Sequence, residues 1–347
     1  MSTSELLTPY QLSSTIQLKN KIVMAPLTRC FADDDLAPTQ LIADYYTRRA
    51  ETGLIISEGT VISPSGVGYP NVPGIFNEKQ ITQWKIVTDQ VHAEGGKIFC
   101  QLWHVGRVSH ASYLKGELPV APSAVSLSGR IPRTELEYGE VRELETDEVH
   151  QLIEAFKQGA LNAIKAGFDG VEIHGANGYL VDQFLHQHTN KRVDEFGGST
   201  KARAKFALDV IKDVSQAIGP DKVGIRLSPG AYFNQEHTDG DEKTYQYLLE
   251  QLNDKNLAYV HTGVFDDTIV FDYLGSNATS FLRKYYTGNI IASGGYTADK
   301  ASAGIENNQF DLIAIGRDII ANPDYVEKLR TNQKLVEYDA ATLTTLY

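Results

Sequence analysis

Eight short runs of β-branched and apolar residues recur along this chain, with amphipathic, helix-patterned sequence between them. They lie at 22–25, 54–58, 98–102, 171–174, 223–227, 259–262, 290–293 and 312–316. Most end on a polar residue or a glycine and show no in/out alternation, as expected of parallel strands covered on both faces. Parallel neighbours cannot be joined by a two-residue turn; each pair needs a crossover, usually a helix. Eight such units predict an α/β fold, the (β/α)8 TIM barrel, with 1–347 as a single domain.

The helical stretches carry their own punctuation. In 146–167, Thr146 is expected as N-cap, with Asp147 and Glu148 in the first turn where the helix dipole favours acids. Val149, Leu152, Ile153, Phe156, Ala160 and Ile164 then mark one face, and Gly167 ends the helix. The stretch 199–218 repeats the pattern with Phe206, Val210, Ile211, Val214 and Ile218. Two segments break the alternation. Residues 6–20 read as an N-terminal hairpin that plugs the barrel bottom. Residues 104–145, rich in Pro, Ser and Gly, form a long excursion after strand three, and unstructured loops of that length are usually functional. The excursion is expected to cap the active site.

Composition narrows the function classes. A net charge of −12 argues against a nucleic-acid surface, which needs clustered Lys and Arg. No apolar run approaches the roughly 20 residues of a spanning helix, and the N-terminus has no basic or apolar leader pattern, so a cytoplasmic protein without membrane partners is expected. The two cysteines, Cys30 and Cys100, have neither disulfide nor metal spacing.

Barrel enzymes place their chemistry at the C-terminal ends of the strands. Strand four runs Val171-Glu172-Ile173-His174 into Gly175-Ala176-Asn177-Gly178-Tyr179. An imidazole, an amide and a phenol within six residues can bind an oxygen and donate a proton; alone, the segment reads equally as a structural histidine in a turn. After strands seven and eight come Gly294-Gly295 and Gly316-Arg317. Loops at those two places often bind phosphate through backbone N–H groups, and arginine is a bidentate partner for it. A phosphorylated cofactor is expected. Arg226, on strand five, needs an anion: either an internal acid such as Glu172 or Glu58, or a ligand that becomes anionic in turnover.

These residues fall within a set of motifs in which the chain resembles the Old Yellow Enzyme family of FMN-dependent ene-reductases, and within it the bacterial branch typified by N-ethylmaleimide reductase and pentaerythritol tetranitrate reductase. The motifs run in order from MAPLTR (24–29) and ADYYTRRA (43–50) through GLIISEG (53–59), QLWHVGR (101–107), HGANGYLVDQFL (174–185), RVDEFGGS (192–199) and IRLSP (225–229) to IGRDIIANPD (315–324). The resemblance spans about Leu6 to Ala341. It implies non-covalent FMN at the barrel mouth with its phosphate on Gly294, Gly295, Gly316 and Arg317. Ala25, Pro26 and Thr28 would line the flavin, the Thr28 hydroxyl bonding the C4 oxygen. Gly59, where the family often has Ala, would lie against the ring, and Gln101 would bond its pyrimidine edge. Arg226 would stabilise the anionic reduced flavin near N1 and the C2 oxygen. Where members usually continue past the position of Tyr347 into a Gly-rich aromatic segment, this sequence ends at Thr344-Thr345-Leu346-Tyr347.

The resemblance also implies a reaction. NADPH or NADH would reduce the flavin, and the flavin would reduce an activated C=C bond in an enone or nitro compound, with nitrate esters as further substrates and phenols as ligands. His174 and Asn177 would hold the substrate oxygen and Tyr179 would be the proton donor, a phenol being neutral at pH 7 with a reference pKa of about 10. Tyr69 and Trp103 would shape the substrate pocket. No Rossmann fingerprint distinguishes the two coenzymes. Two rivals stay open: a metal-dependent barrel hydrolase using His104, His174 and Glu172, and a non-catalytic binder of a phosphorylated ligand. The histidine spacing matches no zinc pattern, so no metal is expected.

Overall fold

The computed structural model describes residues 3–131, 134–230 and 233–347; positions 132 and 133 of the expected excursion lie outside the described residues. A 3-10 turn at Thr3–Leu7 leads into an antiparallel hairpin, β1 (Tyr10–Gln11) and β2 (Gln17–Leu18). Then follow β3 (Ile22–Met24), α1 (Gln40–Thr47), β4 (Leu54–Ile56), the short β5 (Thr60–Val61), α2 (Glu78–Ala93) and β6 (Ile98–Trp103). The excursion holds β7 (Val120–Ala121) and β8 (Arg142–Glu143), paired in parallel with each other. The second half runs α3 (Thr146–Lys165), β9 (Gly170–Gly175), α4 (Leu180–Leu185), α5 (Thr200–Ile218), β10 (Val223–Leu227), α6 (Asp241–Leu252), β11 (Tyr259–Thr262) and α7 (Ala278–Tyr285). It closes with β12 (Ile290–Ala292), α8 (Ala298–Glu306), β13 (Leu312–Ile315), α9 (Arg317–Ala321) and α10 (Tyr325–Arg330).

Strands β3, β4, β6, β9, β10, β11, β12 and β13 pair in that order, all in parallel, and β13 returns to β3 to close the barrel. These are the eight expected runs, with ends differing by a residue or two. Side chains alternate inward and outward along each strand. Val171, Ile173 and Ile225 face the helices and join the large outer core. Val23, Leu54, Ile56, Phe99, Tyr259, Ile291 and Leu312 fill the barrel axis, where Leu12, Ile16 and Leu18 of the hairpin pack against them. The hairpin therefore plugs the bottom, as its sequence predicts. Burying each such leucine is worth roughly 1.5–3 kcal/mol before chain entropy is counted.

One expectation fails in detail. Thr146 is not the N-cap of α3: its hydroxyl donates to Asp194 at 2.7 Å, and Glu145 takes the cap position. Glu148 reaches back to accept from the Glu145 N–H at 2.9 Å. At the other end Gly167 adopts φ +91°, and Phe168 N donates to Ala163 O at 3.1 Å, the reverse bond that closes a helix ending in a left-handed residue.

Candidate active site

The C-terminal barrel mouth opens on a cavity of about 620 Å³, a size typical for a cofactor. Ala25, Pro26, Arg226, Gly294, Gly295, Gly316 and Arg317 all line it, joining four strand ends that the sequence alone could only list. Gly294 has φ +113°, and a Cβ there would lie 2.6 Å from Asp267 N, so this turn excludes side chains. A Cβ on Gly316, in contrast, would meet nothing nearer than the Leu27 side chain, at 3.4 Å, an ordinary contact that leaves that backbone open to the cavity. The Arg317 guanidinium lies 4.8 Å from the Phe265 ring centroid. Thr28 stands half-buried on the loop after β3, next to this wall.

Arg226 answers the question its sequence position raised. Among the described residues no carboxylate is in salt-bridge contact with it, and its buried Nε has no partner. Glu58 is engaged elsewhere, accepting from the backbone N–H groups of Arg29 and Cys30 at 3.0 and 3.3 Å. Glu172 feels Arg226 only through space. The guanidinium faces the cavity and is available to an anionic ligand.

Beside Arg226 in register across β9 and β10 is His174. Its ring is 4.9 Å from that of Tyr179 in an edge-to-face contact and lies nearly parallel to Trp103 at 6.1 Å. Burial, with the positive charge of Arg226, holds the His174 imidazole well below its usual pKa. It is therefore neutral at physiological pH, with a single N–H, and Nδ1 has no hydrogen-bond partner among the described residues. Asn177 sits in the left-handed region at φ +61°. Ser228 fixes it twice: Asn177 N donates to Ser228 Oγ at 2.8 Å, and Ser228 Oγ donates to Asn177 Oδ1 at 3.3 Å. The hydroxyls of Tyr179 and Tyr69 are 3.0 Å apart.

Trp103 stacks on Tyr69 at 5.5 Å and meets Tyr179 edge-on at 4.9 Å. Gly59 backs it so closely that a Cβ would lie 2.4 Å from Trp103 Cε3. Val105, Val108 and Leu114, from the start of the excursion, pack around this aromatic group. Tyr69 also borders a second cavity of about 840 Å³ between the loops at 34–36, 64–71 and 112–120. Gln101, one turn of the strand below Trp103, donates from Nε2 to Glu172 Oε1 at 2.8 Å.

The hydrolase rival loses its geometry here. His104 Nδ1 accepts from Gly106 N at 3.1 Å and its Nε2 pairs with Ser65 at 3.2 Å, while burial pushes its pKa down to about 3. Sequence reading also missed contributors. Ser293, Tyr296 and Tyr338 line the first cavity. Tyr338 lies beyond the last helix, outside any strand-end logic. Ser228 follows strand five within IRLSP, and its part in holding Asn177 needs the paired register of β9 and β10 to be seen.

Residues 5–335 match the model of the NADH:flavin oxidoreductase / NADH oxidase family. The chain belongs to that family. It is 40% identical to 12-oxophytodienoate reductase 7 of Oryza sativa over 98% of this chain and 91% of that protein. It is 37% identical to the flavin oxidoreductase hxnT of Emericella nidulans, covering 97% and 93%. Among solved structures, morphinone reductase in complex with tetrahydroNAD superposes with a TM-score of 0.90 at 41% identity, over 97% of this chain and 93% of the other. The Old Yellow Enzyme homologue of Zymomonas mobilis gives 0.90 at 35% identity, over 98% and 96%. As a member of the Old Yellow Enzyme group, the chain is an FMN-dependent ene-reductase driven by a nicotinamide coenzyme. The site fits that cofactor: a cavity of the right size, an arginine with an orphaned buried nitrogen, and a glycine turn closed to side chains. Among the described residues no helix is long and apolar enough to cross a membrane.

Proposed function

We propose that this chain reduces the activated C=C bond of α,β-unsaturated carbonyl and nitro compounds, with Tyr179 as proton donor. The observation that carries this reading is the convergence of a neutral His174, an anchored Asn177 and the Tyr179 hydroxyl beside Arg226 at one barrel mouth. The relatives' names point to the same class, since 12-oxophytodienoate and morphinone are both ketones by name.

FMN, when bound, supplies the hydride, taken from NADPH or NADH and delivered to the substrate's β-carbon. Gly294, Gly295, Gly316 and Arg317 hold its phosphate, and Ala25, Pro26, Thr28, Gly59, Gln101 and Arg226 hold its ring. His174 and Asn177 donate to the substrate's carbonyl or nitro oxygen, where negative charge develops. Preorganised donors of this kind are worth about 3 kcal/mol each. Tyr179 gives its proton to the α-carbon, and Tyr69 holds that hydroxyl in place. Trp103 and Tyr69 limit the shape of what can lie between them. The excursion 104–145 caps this space, keeping water away while charge builds. Cytoplasmic residence fits two free cysteines.

Donors that fit a developing enolate also fit a phenolate. A para-substituted phenol bound over oxidised flavin is expected to give a long-wavelength charge-transfer band. In the double variant His174→Ala, Asn177→Ala the phenol keeps its solution pKa, so the band fades, affinity falls and enone turnover falls with it. A spectral titration of both proteins at one pH decides the matter. Equal phenolate affinity in the two shows that these residues do not form the oxygen site.

A further inference from the structure

A carboxylate lies at the centre of the barrel, and nothing assigned so far needs it. Glu172 is wholly buried, on β9 between the inward positions of β6 and β10. Burying a carboxylate is costly unless its oxygens are bonded and its charge is balanced. Both oxygens are spoken for. Oε1 accepts from Gln101 Nε2 at 2.8 Å, and Oε2 lies 2.8 Å from His261 Nδ1. Burial pushes the Glu172 pKa up, but His261, Arg226 and Gln101 together outweigh it and leave the carboxyl below its ordinary value. The group is an anion at neutral pH.

The charges around it come from each neighbouring strand. Arg226 on β10 pairs in register with His174 on β9 and His261 on β11. Tyr259, below His261, has its phenol pushed well above the usual range by burial and by the Glu172 charge. Gln101 is the inward group of β6. Arg226 and Glu172 are thus the fixed opposite charges here, one lining the cavity and the other two residues lower on the neighbouring strand. Glu172 is wholly buried and does not line the cavity, so it does not meet a ligand directly. It acts through Arg226 and through Gln101.

We propose that Glu172 is a positioning residue that sets the reduction potential of the bound FMN, as a buried countercharge to Arg226 and as the anchor of the Gln101 amide. This rests on the reading above that Arg226 and Gln101 meet the flavin ring. The sign follows from electrostatics. FMN gains negative charge on reduction, and Arg226 favours that charge. A carboxylate one layer below opposes it, so Glu172 holds the potential down. The bond from Gln101 Nε2 to Glu172 also fixes the orientation of the amide, leaving its oxygen as the end that would accept a hydrogen bond from the ring.

The test is the midpoint potential of the purified FMN-bound protein, measured by dye-coupled redox titration at pH 7. Glu172→Gln keeps the shape and removes the charge, and its midpoint rises. The expected size is at least tenfold in the two-electron equilibrium, about 30 mV. Arg226→Gln lowers the midpoint. The double variant returns toward wild type. If Glu172→Gln alone fails to fold, the same charge is removed on the Arg226→Gln background, where no uncompensated arginine is left buried, and the midpoint rises relative to Arg226→Gln alone. An unchanged or lowered midpoint in the Glu172 variant, while Arg226→Gln lowers it, overturns the proposal. An unchanged midpoint in Arg226→Gln instead overturns the placement of Arg226 at the flavin. A Glu172 that only stabilised the fold would shift the melting temperature and leave the potential alone.

Discussion

The hydroxyls of Tyr69 and Tyr179 lie 3.0 Å apart, and Trp103 touches both rings, stacked on one and edge-on to the other. A strand end and two loops thereby fix one phenol over the mouth of the barrel. Such a hydroxyl is held in one place, as a proton donor to carbon must be, since carbon offers no hydrogen bond to guide it.

Replacing Tyr179 by Phe tests the assignment. The variant is expected to bind FMN and accept electrons from NAD(P)H as wild type does. Turnover of cyclohexenone should fall about a hundredfold or more, the low end of general-acid contributions. Nitro-olefins should suffer far less, because their nitronate product can take its proton from water later. Tyr69→Phe, which removes the partner and keeps the ring, should give a smaller loss with the same substrate bias. Steady-state rates with both substrates are the measurement. Equal losses in the two classes mean that Tyr179 only shapes the pocket.

Gly59 is the backstop of Trp103. A Cβ at this position would sit 2.4 Å from Cε3 and 2.7 Å from Cδ2 of the indole, which is itself wedged against Tyr69 and Tyr179. Gly59→Ala must push Trp103 into the substrate space. Overpacking of this kind costs about 1–3 kcal/mol. The expected result is a lower melting temperature together with a changed ratio of KM values for bulky and small enones. Identical KM ratios place Trp103 outside the substrate pocket.

The glycine turn after β12 gives a binding prediction. Gly294→Ala puts a methyl against Asp267 N at 2.6 Å on a backbone with φ +113°, a conformation that costs a non-glycine residue about 1–3 kcal/mol. The turn has to open, and FMN affinity should fall by roughly tenfold or more, with one flavin per chain still released on denaturation. Fluorescence titration of the apoprotein with FMN measures this. Gly295→Ala serves as comparison: φ is +77° there, but the added Cβ finds its nearest neighbour at 3.9 Å.

How far these features were legible varies with their range. All eight barrel strands could be read from short apolar runs, because a doubly covered strand leaves a local signature. The hairpin plug was legible for a similar reason, its Leu12, Ile16 and Leu18 having no other apolar surface to meet. Strand-end residues such as Gly294 and Arg317 could be named, since the fold sends every strand end to one face. Pairings across the barrel could not. That Gln101 binds Glu172, and that Ser228 rather than a neighbour in sequence anchors Asn177, depends on register between strands 51 to 71 residues apart. Thr146 misled because a threonine before two acids is a good local cap, and only the distant Asp194 takes its hydroxyl away.

His186 provides a test that reads stability rather than turnover. It is wholly buried behind the turn at 177–179, with Nδ1 3.0 Å from Asp241 Oδ2 and Nε2 3.4 Å from Asp182 Oδ1. Tyr245 donates to Asp182 and lies 2.9 Å from His186 Nε2. Asp182 Oδ2 in turn accepts from Gly178 N at 2.8 Å, holding the turn between Asn177 and Tyr179. Burial pulls the imidazole pKa down, but the two aspartates outweigh it and raise it from 6.5 to about 9. The folded state therefore binds this proton more tightly than the unfolded chain. Its contribution to stability is fully present below about pH 6.5, declines between there and about 9, and is gone above. The ceiling is about 3 kcal/mol, from 1.36 kcal/mol for each pKa unit. Asp241, whose pKa is lowered, works in the opposite direction, its contribution being lost only as acid protonates it. Thermal melts of wild type and His186→Gln from pH 6 to pH 10 separate the two. The gap in melting temperature should be largest at pH 6 and close as the pH passes 9. A gap that stays constant across the range means that His186 is neutral in the folded protein and supports the loop by packing alone.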